Sequence, residues 1–420
     1  MAVFSCRAGD VCFYVSPDGS DAWSGTVAEA KGGDGPFATL HRAQRAVRQA
    51  AVSGGRGNIT VSIRSGVYSL DQPLMFFAPD AGSEDSSVTW QAYGDEQPRI
   101  SGGRRIADKW EPQGNDLWAV DFSDGNRKVG WFRQLFKDGQ RMTRARFPNV
   151  GDPWMTVKAL PDGTDGCRYE MDRAFPGGNL AGKDVELMMY QIWSCSQARV
   201  VSSDEAVVAV RNPMGWMGHN WTSAKEGRRV YLEHAREFID CAGEWYYDRN
   251  AGRLYYMASA GENPNEHEFV VPRVERLLTL RGVKGRPVRN LHFKGLVFEH
   301  VGWRLPLEGY SGIQAGHYGV KYSEEPTFSL PAAVAVEYAE NISFENCSIA
   351  HAGANGLAFG AGSRHCRVNG CSFSDLGGNG VMVGWRRRAD DPPRHFFEND
   401  WRDPTEAPAW IDNSNNVIRN

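Results

Sequence analysis

The chain has no apolar run approaching the roughly 20 residues that a membrane helix requires, so a helical span is excluded. It also lacks a basic excess. The formal net charge is −4, which leaves no surplus of cations to neutralise phosphates and excludes a general nucleic-acid partner. The one cationic run, Arg386-Arg387-Arg388, meets Asp390 and Asp391 at once and reads as a solvated loop. None of the eight cysteines forms a Cys-x-x-Cys pair, which argues against a zinc site. Asp390, Asp391, Glu398, Asp400 and Asp403 crowd one loop without the spacing of a calcium loop. No metal and no cofactor is expected. The opening Met1-Ala2-Val3-Phe4-Ser5-Cys6 lacks the basic and long apolar regions of a signal peptide. Cys6 and Cys12 are placed to bridge in an oxidising compartment, but their spacing alone does not fix the redox state.

What is present is repetition. Asn290-Leu-His-Phe-Lys-Gly-Leu-Val-Phe-Glu-His300-Val-Gly302 overlays Asn341-Ile-Ser-Phe-Glu-Asn-Cys-Ser-Ile-Ala-His351-Ala-Gly353. Both overlay His365-Cys-Arg-Val-Asn-Gly-Cys-Ser-Phe-Ser-Asp375-Leu-Gly377, and a further copy begins at Asn415. The starts are 51, 24 and 50 residues apart (341 − 290, 365 − 341, 415 − 365). A step of 24 residues suits one coil of a parallel β-helix, and the longer intervals then carry loops near 304–331 and 386–411. Leu291, Phe293, Leu296 and Phe298 align with Ile342, Phe344, Cys347 and Ile349, then with Cys366, Val368, Cys371 and Phe373. That alternation predicts one strand face on a core. Gly295, Asn346 and Gly370 fall at the bend between two strands, where a left-handed conformation is needed. Gly356-Leu-Ala-Phe-Gly360 recurs as Gly380-Val-Met-Val-Gly384, a third strand per coil. Cys347 and Cys371 then stack as small interior hydrophobes.

The front of the chain supplies a beginning for such a stack. Ile59–Ile63, Gly66–Tyr68, Pro73–Phe76 and Val88–Ala92 read as the first coils. Phe37, Leu40, Ala43 and Val47 share one helical face between Pro36 and Ala51, suiting a helix that plugs the open end. Between Gly103 and Pro272 the coil rhythm disappears, giving way to aromatics and short alternating strands; Glu244–Asp248 and Arg253–Tyr256 form a hairpin candidate. The expected fold is all-β. It is a right-handed parallel β-helix of about 24 residues per coil, with an N-terminal capping helix and an inserted β-rich, sandwich-like domain. The expected divisions are 1–102, cap and first coils; 103–272, insertion; and 273–420, later coils broken off at the C-terminal end.

The order of several motifs resembles a known group. Tyr14-Val-Ser-Pro-Asp-Gly-Ser-Asp21, Gly35-Pro-Phe-Ala-Thr-Leu40 and Gly66-Val-Tyr68 look like the pectate-lyase-like superfamily. Phe132-Arg-Gln-Leu-Phe-Lys-Asp-Gly139 with Arg144-Ala-Arg-Phe-Pro-Asn149 is more specific, as is Gly243-Glu-Trp-Tyr-Tyr-Asp248 with Gly252-Arg-Leu-Tyr-Tyr256. Together they resemble glycoside hydrolase family 141, and family 120 more distantly. The resemblance implies hydrolysis of glycosidic bonds in plant-type or other complex polysaccharides, with fucosidase and xylan-degrading activities both represented. It also implies a secreted or periplasmic protein, and an acidic catalytic pair on coils beyond Asn420. A glycosidase needs two carboxyl groups flanking the bond.

Within the chain, His300, His351 and Asp375 occupy one coil position before a glycine turn. They read either as a polar ladder that binds sugar hydroxyls or, more ordinarily, as turn residues satisfying backbone amides. Glu337 is a candidate outward carboxylate, weighed against a plain surface glutamate. Catalytic candidates are thus Glu337, His351 and Asp375; substrate-binding candidates are His300, Trp216, Trp221 and Trp385. Trp216 and Trp221 suit stacking on sugar rings, weighed evenly against filling a β-sandwich core. The expected partner is a polysaccharide or oligosaccharide, with no nucleic acid and no membrane. A polysaccharide lyase and a non-catalytic glycan-binding solenoid remain open, because one fold hosts all three.

Overall fold

The repeated segments pair side by side. The computed structural model describes residues 9–52, 57–124, 127–128, 132–161, 166–216, 223–313, 316–319, 328–384 and 413–419. Three parallel sheets carry the coils. Sheet I orders Val11–Val15, Ile59–Ile63, Val88–Ala92, Val288–Lys294, Ala339–Glu345, Arg367–Asn369 and Val417–Arg419. Sheet II orders Gly66–Ser69, Pro98–Ser101, Val297–Glu299, Ser348–Ala352 and Ser372–Leu376. Sheet III orders Leu74–Phe76, Leu278–Arg281, Ala332–Glu337, Asn355–Phe359 and Val381–Val383. From Leu278 onward the chain visits III, I and II in turn, adding one strand to each sheet per coil.

The register is that of the repeats. Phe293 lies opposite Phe344, Phe344 opposite Val368, and Val368 opposite Ile418. Phe298, Ile349 and Phe373 line up in sheet II, and Leu357 with Val381 in sheet III. Because side chains alternate across a strand, this register sends one apolar set inward at every level. The Phe293 and Phe344 rings stack 5.0 Å apart and 10° from parallel. Each such buried side chain contributes about 1.5–3 kcal/mol. The bends between sheets I and II are left-handed, with φ of 67° at Gly295, 51° at Asn346 and 60° at Gly370. At Gly370 a Cβ would also sit 2.4 Å from Asn346 Oδ1, so a side chain there would have to turn the Asn346 amide away. Cys347 and Cys371 are free thiols one level apart, the Cys347 amide donating to Cys371 Sγ at 3.4 Å. Cys12 is disulfide-bonded.

Helix α1 (Leu40–Val52) buries Leu40, Ala43 and Val47 on the end of this core. It begins later than the Pro36 start that its apolar face predicts. Phe37 is instead drawn into backbone bonding with Tyr14 and Ser16, and Thr39 Oγ1 caps the helix by accepting from the Arg42 amide at 3.1 Å.

The insertion leaves after the sheet II strand Pro98–Ser101 and returns at the sheet III strand Leu278–Arg281. Its strands do not form the two open layers of a sandwich. Met155–Ala159, Arg168–Met171, Val207–Val210, Cys195–Asp204, Glu186–Tyr190 and Arg229–Glu233 pair antiparallel in that order. The pairing Met155 to Val230 closes the ring. Closure removes free edges that a sandwich of such short strands would expose. Its interior holds Met155, Val157, Tyr169, Leu187, Met189 and Val230, among others. A second sheet carries the expected hairpin, Trp245 opposite Tyr256, over an aromatic core of Trp110, Phe132, Trp245, Tyr247 and Phe269. The loop between sheets II and III adds Tyr310–Gly312, His317–Gly319 and Phe328–Ser329 to the barrel wall at Cys195–Asp204. The loop that leaves the coils thus extends the barrel sheet, while the three coil sheets remain separate from it.

Candidate functional site

Strand alternation decides what sheet III presents outward. Leu278 and Leu280 point into the core, so Thr279 and Arg281 point out; on the next strand Val334 and Val336 point in and Glu337 out. Over these two strands and Leu74–Phe76 lies a cavity of about 410 Å³, lined by Met75, Glu275, Arg276, Arg281, Pro331 and Glu337 among others. Glu337 is outward but only 5% exposed, which corrects the expectation of a solvated glutamate. Arg281, its register neighbour, stands 3.9 Å away. Across the cavity Glu275 is half exposed and paired with Arg304 at 3.1 Å. Burial raises the Glu275 carboxyl above its ordinary range, outweighing the opposing pull of Arg304 and Arg276. The cavity thus joins two carboxyl groups and several guanidinium donors, the chemistry that holds sugar hydroxyls. Sequence reasoning missed Glu275 because it precedes its strand in a segment without periodicity.

His300, His351 and Asp375 do come together, but as an interface. All three are left-handed, with φ of 59°, 54° and 49°. The two imidazoles stack 5.3 Å apart and 12° from parallel. Phe136 of the insertion lies 4.9 Å from each ring and covers the His300 end of the ladder, while Asp375 stays one-third exposed. His300 is 5% exposed, and Ser101 Oγ meets its Nδ1 at 3.0 Å. A sugar cannot reach it, so its substrate-binding assignment is corrected. His351 Nδ1 bonds Asp375 Oδ2 at 2.8 Å, while Arg141 Nε donates to Asp375 Oδ1 at 2.7 Å. Asp375 is held at about 2: burial would raise it, but the bonds from His351 and Arg141 prevail. These bonds give His351 and Asp375 a structural role, holding the insertion to the coils.

Trp216 is half-buried, its Nε1 donating to Gly312 O at 3.2 Å and its ring filling the space where Gly319 lacks a side chain. It clamps the loop to the barrel rather than offering a free face. Trp221 and Trp385 lie outside the described residues. Two groupings of possible metal ligands occur among the described residues, Glu299-His300-His351 and Asp240-Cys241-Glu244. Stacked imidazoles aim their in-plane lone pairs in parallel rather than at one point. Glu244 is already engaged by the amides of Arg146, Asp240 and Cys241.

One further cluster joins the motif residues of the insertion. Arg133 and Arg144 both bond Glu186 and Glu233, at 2.6 to 3.2 Å, and Gln197 Nε2 bonds both carboxylates at 2.9 Å. All five are buried, and Arg133 lies over the Trp303 ring at 5.1 Å.

Residues 115–259, the barrel and its aromatic neighbour, match the family model described as the GH141 insertion domain. A solved structure titled "Glycoside hydrolase" is 29% identical, with a TM-score of 0.79, over 92% of this chain and 69% of that one. This is a GH141-like protein. Two other structures overlap the GH141-like chain only loosely. "The complex structure of XylC with xylose" is 13% identical, TM-score 0.46, over 89% of this chain and 51% of that one. A tailspike, Gp54 of Acinetobacter baumannii bacteriophage AP22 in complex with capsular saccharide, is 8% identical, TM-score 0.19, over 89% and 43%. No curated protein sequence matches the chain.

Proposed function

We propose that this GH141-like protein is a glycosidase of complex, plant-type polysaccharide, an α-L-fucosidase or xylan-degrading enzyme, built on a right-handed β-helix. The observation that carries the reading is the 29% identity and 0.79 TM-score to a glycoside hydrolase across 92% of the chain. The sugar is assigned to the sheet III cavity, between Glu275 and Glu337. Hydrolysis needs one carboxyl that keeps its proton and one that has lost it. Glu275, raised by burial, takes the acid role, and Glu337, beside Arg281, is its partner across the bond. A secreted or periplasmic setting accords with the disulfide at Cys12 and with a polysaccharide substrate that stays outside the cell.

The test is a panel of aryl fucosides, aryl xylosides and plant polysaccharides, scored for released reducing ends. Activity on one of them is expected, with Glu337→Gln lowering kcat by roughly 10²-fold or more. If the wild-type protein releases an unsaturated product absorbing in the ultraviolet, it is a lyase and the reading fails. If Glu275→Gln and Glu337→Gln both retain kcat, the carboxyl pair lies elsewhere and only the cavity assignment falls.

A further inference from the structure

On the barrel, strand alternation puts Leu187, Met189, Val230 and Leu232 inside and leaves Tyr190, Arg229 and Tyr231 outside on two neighbouring strands. Trp154 joins them just before the strand Met155–Ala159. The Trp154 and Tyr190 rings stand 5.4 Å apart, and each lies 6.2 to 6.4 Å from Tyr231. Tyr231 is 9% exposed and forms the floor; Trp154 and Tyr190 are 38% and 40% exposed and form the rim. Two guanidinium groups border the same rings. Arg146 lies 3.7 Å over Tyr231 and 5.7 Å from Trp154, and Arg229 lies 6.0 Å from Trp154.

Neither arginine is ion-paired among the described residues. Arg146 Nε donates to the Pro148 carbonyl, and the carboxylate opposite Arg146, Glu233, is turned to Arg133, Arg144 and Gln197. The patch is therefore aromatic and cationic, with no carboxylate paired to either arginine among the described residues. Exposed rings accept the apolar face of a pyranose, and a guanidinium fork matches a carboxylate in two parallel bonds. A neutral sugar would satisfy the rings and leave both cations unmatched. A uronate satisfies both.

We propose that Trp154, Tyr190, Arg146 and Arg229 form a second glycan site, on the barrel and separate from the sheet III cavity, which takes a polysaccharide chain bearing uronic acids. The choice of a glycan as ligand rests on the glycosidase reading; the charge preference rests on the patch alone. Such a site holds the enzyme on acidic polymer while bonds are met elsewhere.

The test is migration of the full chain through native gels containing polygalacturonate, neutral xylan or no polymer, with reducing-end release measured separately. Retardation by polygalacturonate is expected, weakening with added salt and reduced about tenfold in affinity by Trp154→Ala. Arg229→Gln, at an exposed position, is expected to reduce it with an unchanged melting temperature, so the outcome does not depend on Trp154→Ala folding. Equal retardation by neutral xylan overturns the charge argument, and equal retardation of wild type and both variants overturns the site. Retardation without hydrolysis of any polymer leaves this site standing and sinks the glycosidase reading. Hydrolysis without retardation does the reverse.

Discussion

Arg141 and Asp375, 234 residues apart in the chain, meet through a 2.7 Å bond from Nε to Oδ1. Arg141 also donates to the carbonyls of Ala352 and Asp375 at 3.3 and 3.1 Å. One insertion side chain thus ties two coils together, and the left-handed turn at Asp375 is what aims its carboxylate at the insertion. The His300, His351 and Asp375 ladder is a seam between two parts of the fold.

That seam has an acid signature. Asp375 is held at about 2, against an unfolded carboxylate near 3.9. A depressed carboxyl stabilises above its unfolded value and loses that contribution as pH falls through the folded one. Asp375→Asn is therefore expected to lower stability at pH 7 by about 1–2 kcal/mol, discounted for a side chain one-third exposed. The difference should shrink between about pH 4 and pH 2. Urea melts of both proteins across that range check it, and a constant gap would sink it.

His300 acts in a different window. Burial pushes its imidazole down to about 4, against the mild opposite pull of Glu299, with His351, Arg99 and Arg141 adding to the fall. A histidine buried neutral stabilises fully above its unfolded value near 6.5. That contribution is lost as pH falls from about 6.5 to about 4. His234, wholly buried beside Arg144 and Arg133, shifts in the same direction. A His300→Gln protein should show a flatter stability curve between pH 6.5 and 4 than the wild type. Titration of the ring carbons by NMR gives the midpoint directly; a value near 6.5 contradicts the burial argument.

The coils were legible because a parallel stack makes each level solve the same packing problem. Phe293, Phe344 and Val368 recur at matching places in their repeats for that reason, and even the bend residues Gly295, Asn346 and Gly370 follow from the pattern. The barrel has no such period. Its strands meet partners at irregular distances, as Glu186 meets both Arg199 and Glu233, so closure leaves no mark that reads as a ring rather than a sandwich. The ladder was visible as three aligned residues, yet its cover was not. Phe136 and Arg141 come from a segment 159 to 239 residues earlier (300 − 141, 375 − 136), a distance at which local pattern carries nothing. Glu275 escaped for want of periodicity, while Trp154 and Tyr190 were indistinguishable in sequence from the many tryptophans and tyrosines that fill cores.

The coil core gives a direct check on register. Phe293 is fully buried, stacks on Phe344 and meets Phe76 edge-on at 5.7 Å. Phe76 stands before the insertion and Phe344 after it, so this one ring packs coils from both sides. Phe293→Ala is expected to cost 3–5 kcal/mol, since a rigid stack cannot collapse into the void. Phe293→Leu should recover much of that. Guanidinium unfolding of the three proteins reads it, and a cost near 1 kcal/mol for alanine would mean that the levels are not packed in this register.

The buried charges of the insertion lead to the last prediction. Glu186 is inaccessible to solvent and takes bonds from Arg133, Arg144 and Gln197; burial alone would raise its carboxyl, yet the two arginines lower it below its ordinary range. Removing Glu186 leaves both guanidinium groups with Glu233 as their common carboxylate, and an uncompensated buried charge costs about 3–5 kcal/mol. Glu186→Gln keeps the shape but deletes the charge, so it should sit near that cost even though no cavity forms. Removing charge on both sides, in a Glu186→Gln, Arg144→Met double variant, should restore part of the loss, because the net charge of the cluster returns to balance. Arg133 sits over Trp303, at the root of the loop that reaches the sheet III cavity, so the single variant should also loosen that loop. Hydrogen exchange at residues 303–312 would report the loosening alongside the melt. Additive single losses would show that Glu186 and Arg144 are not coupled through charge, and unchanged exchange in the loop would show that the cluster has no hold on the cavity.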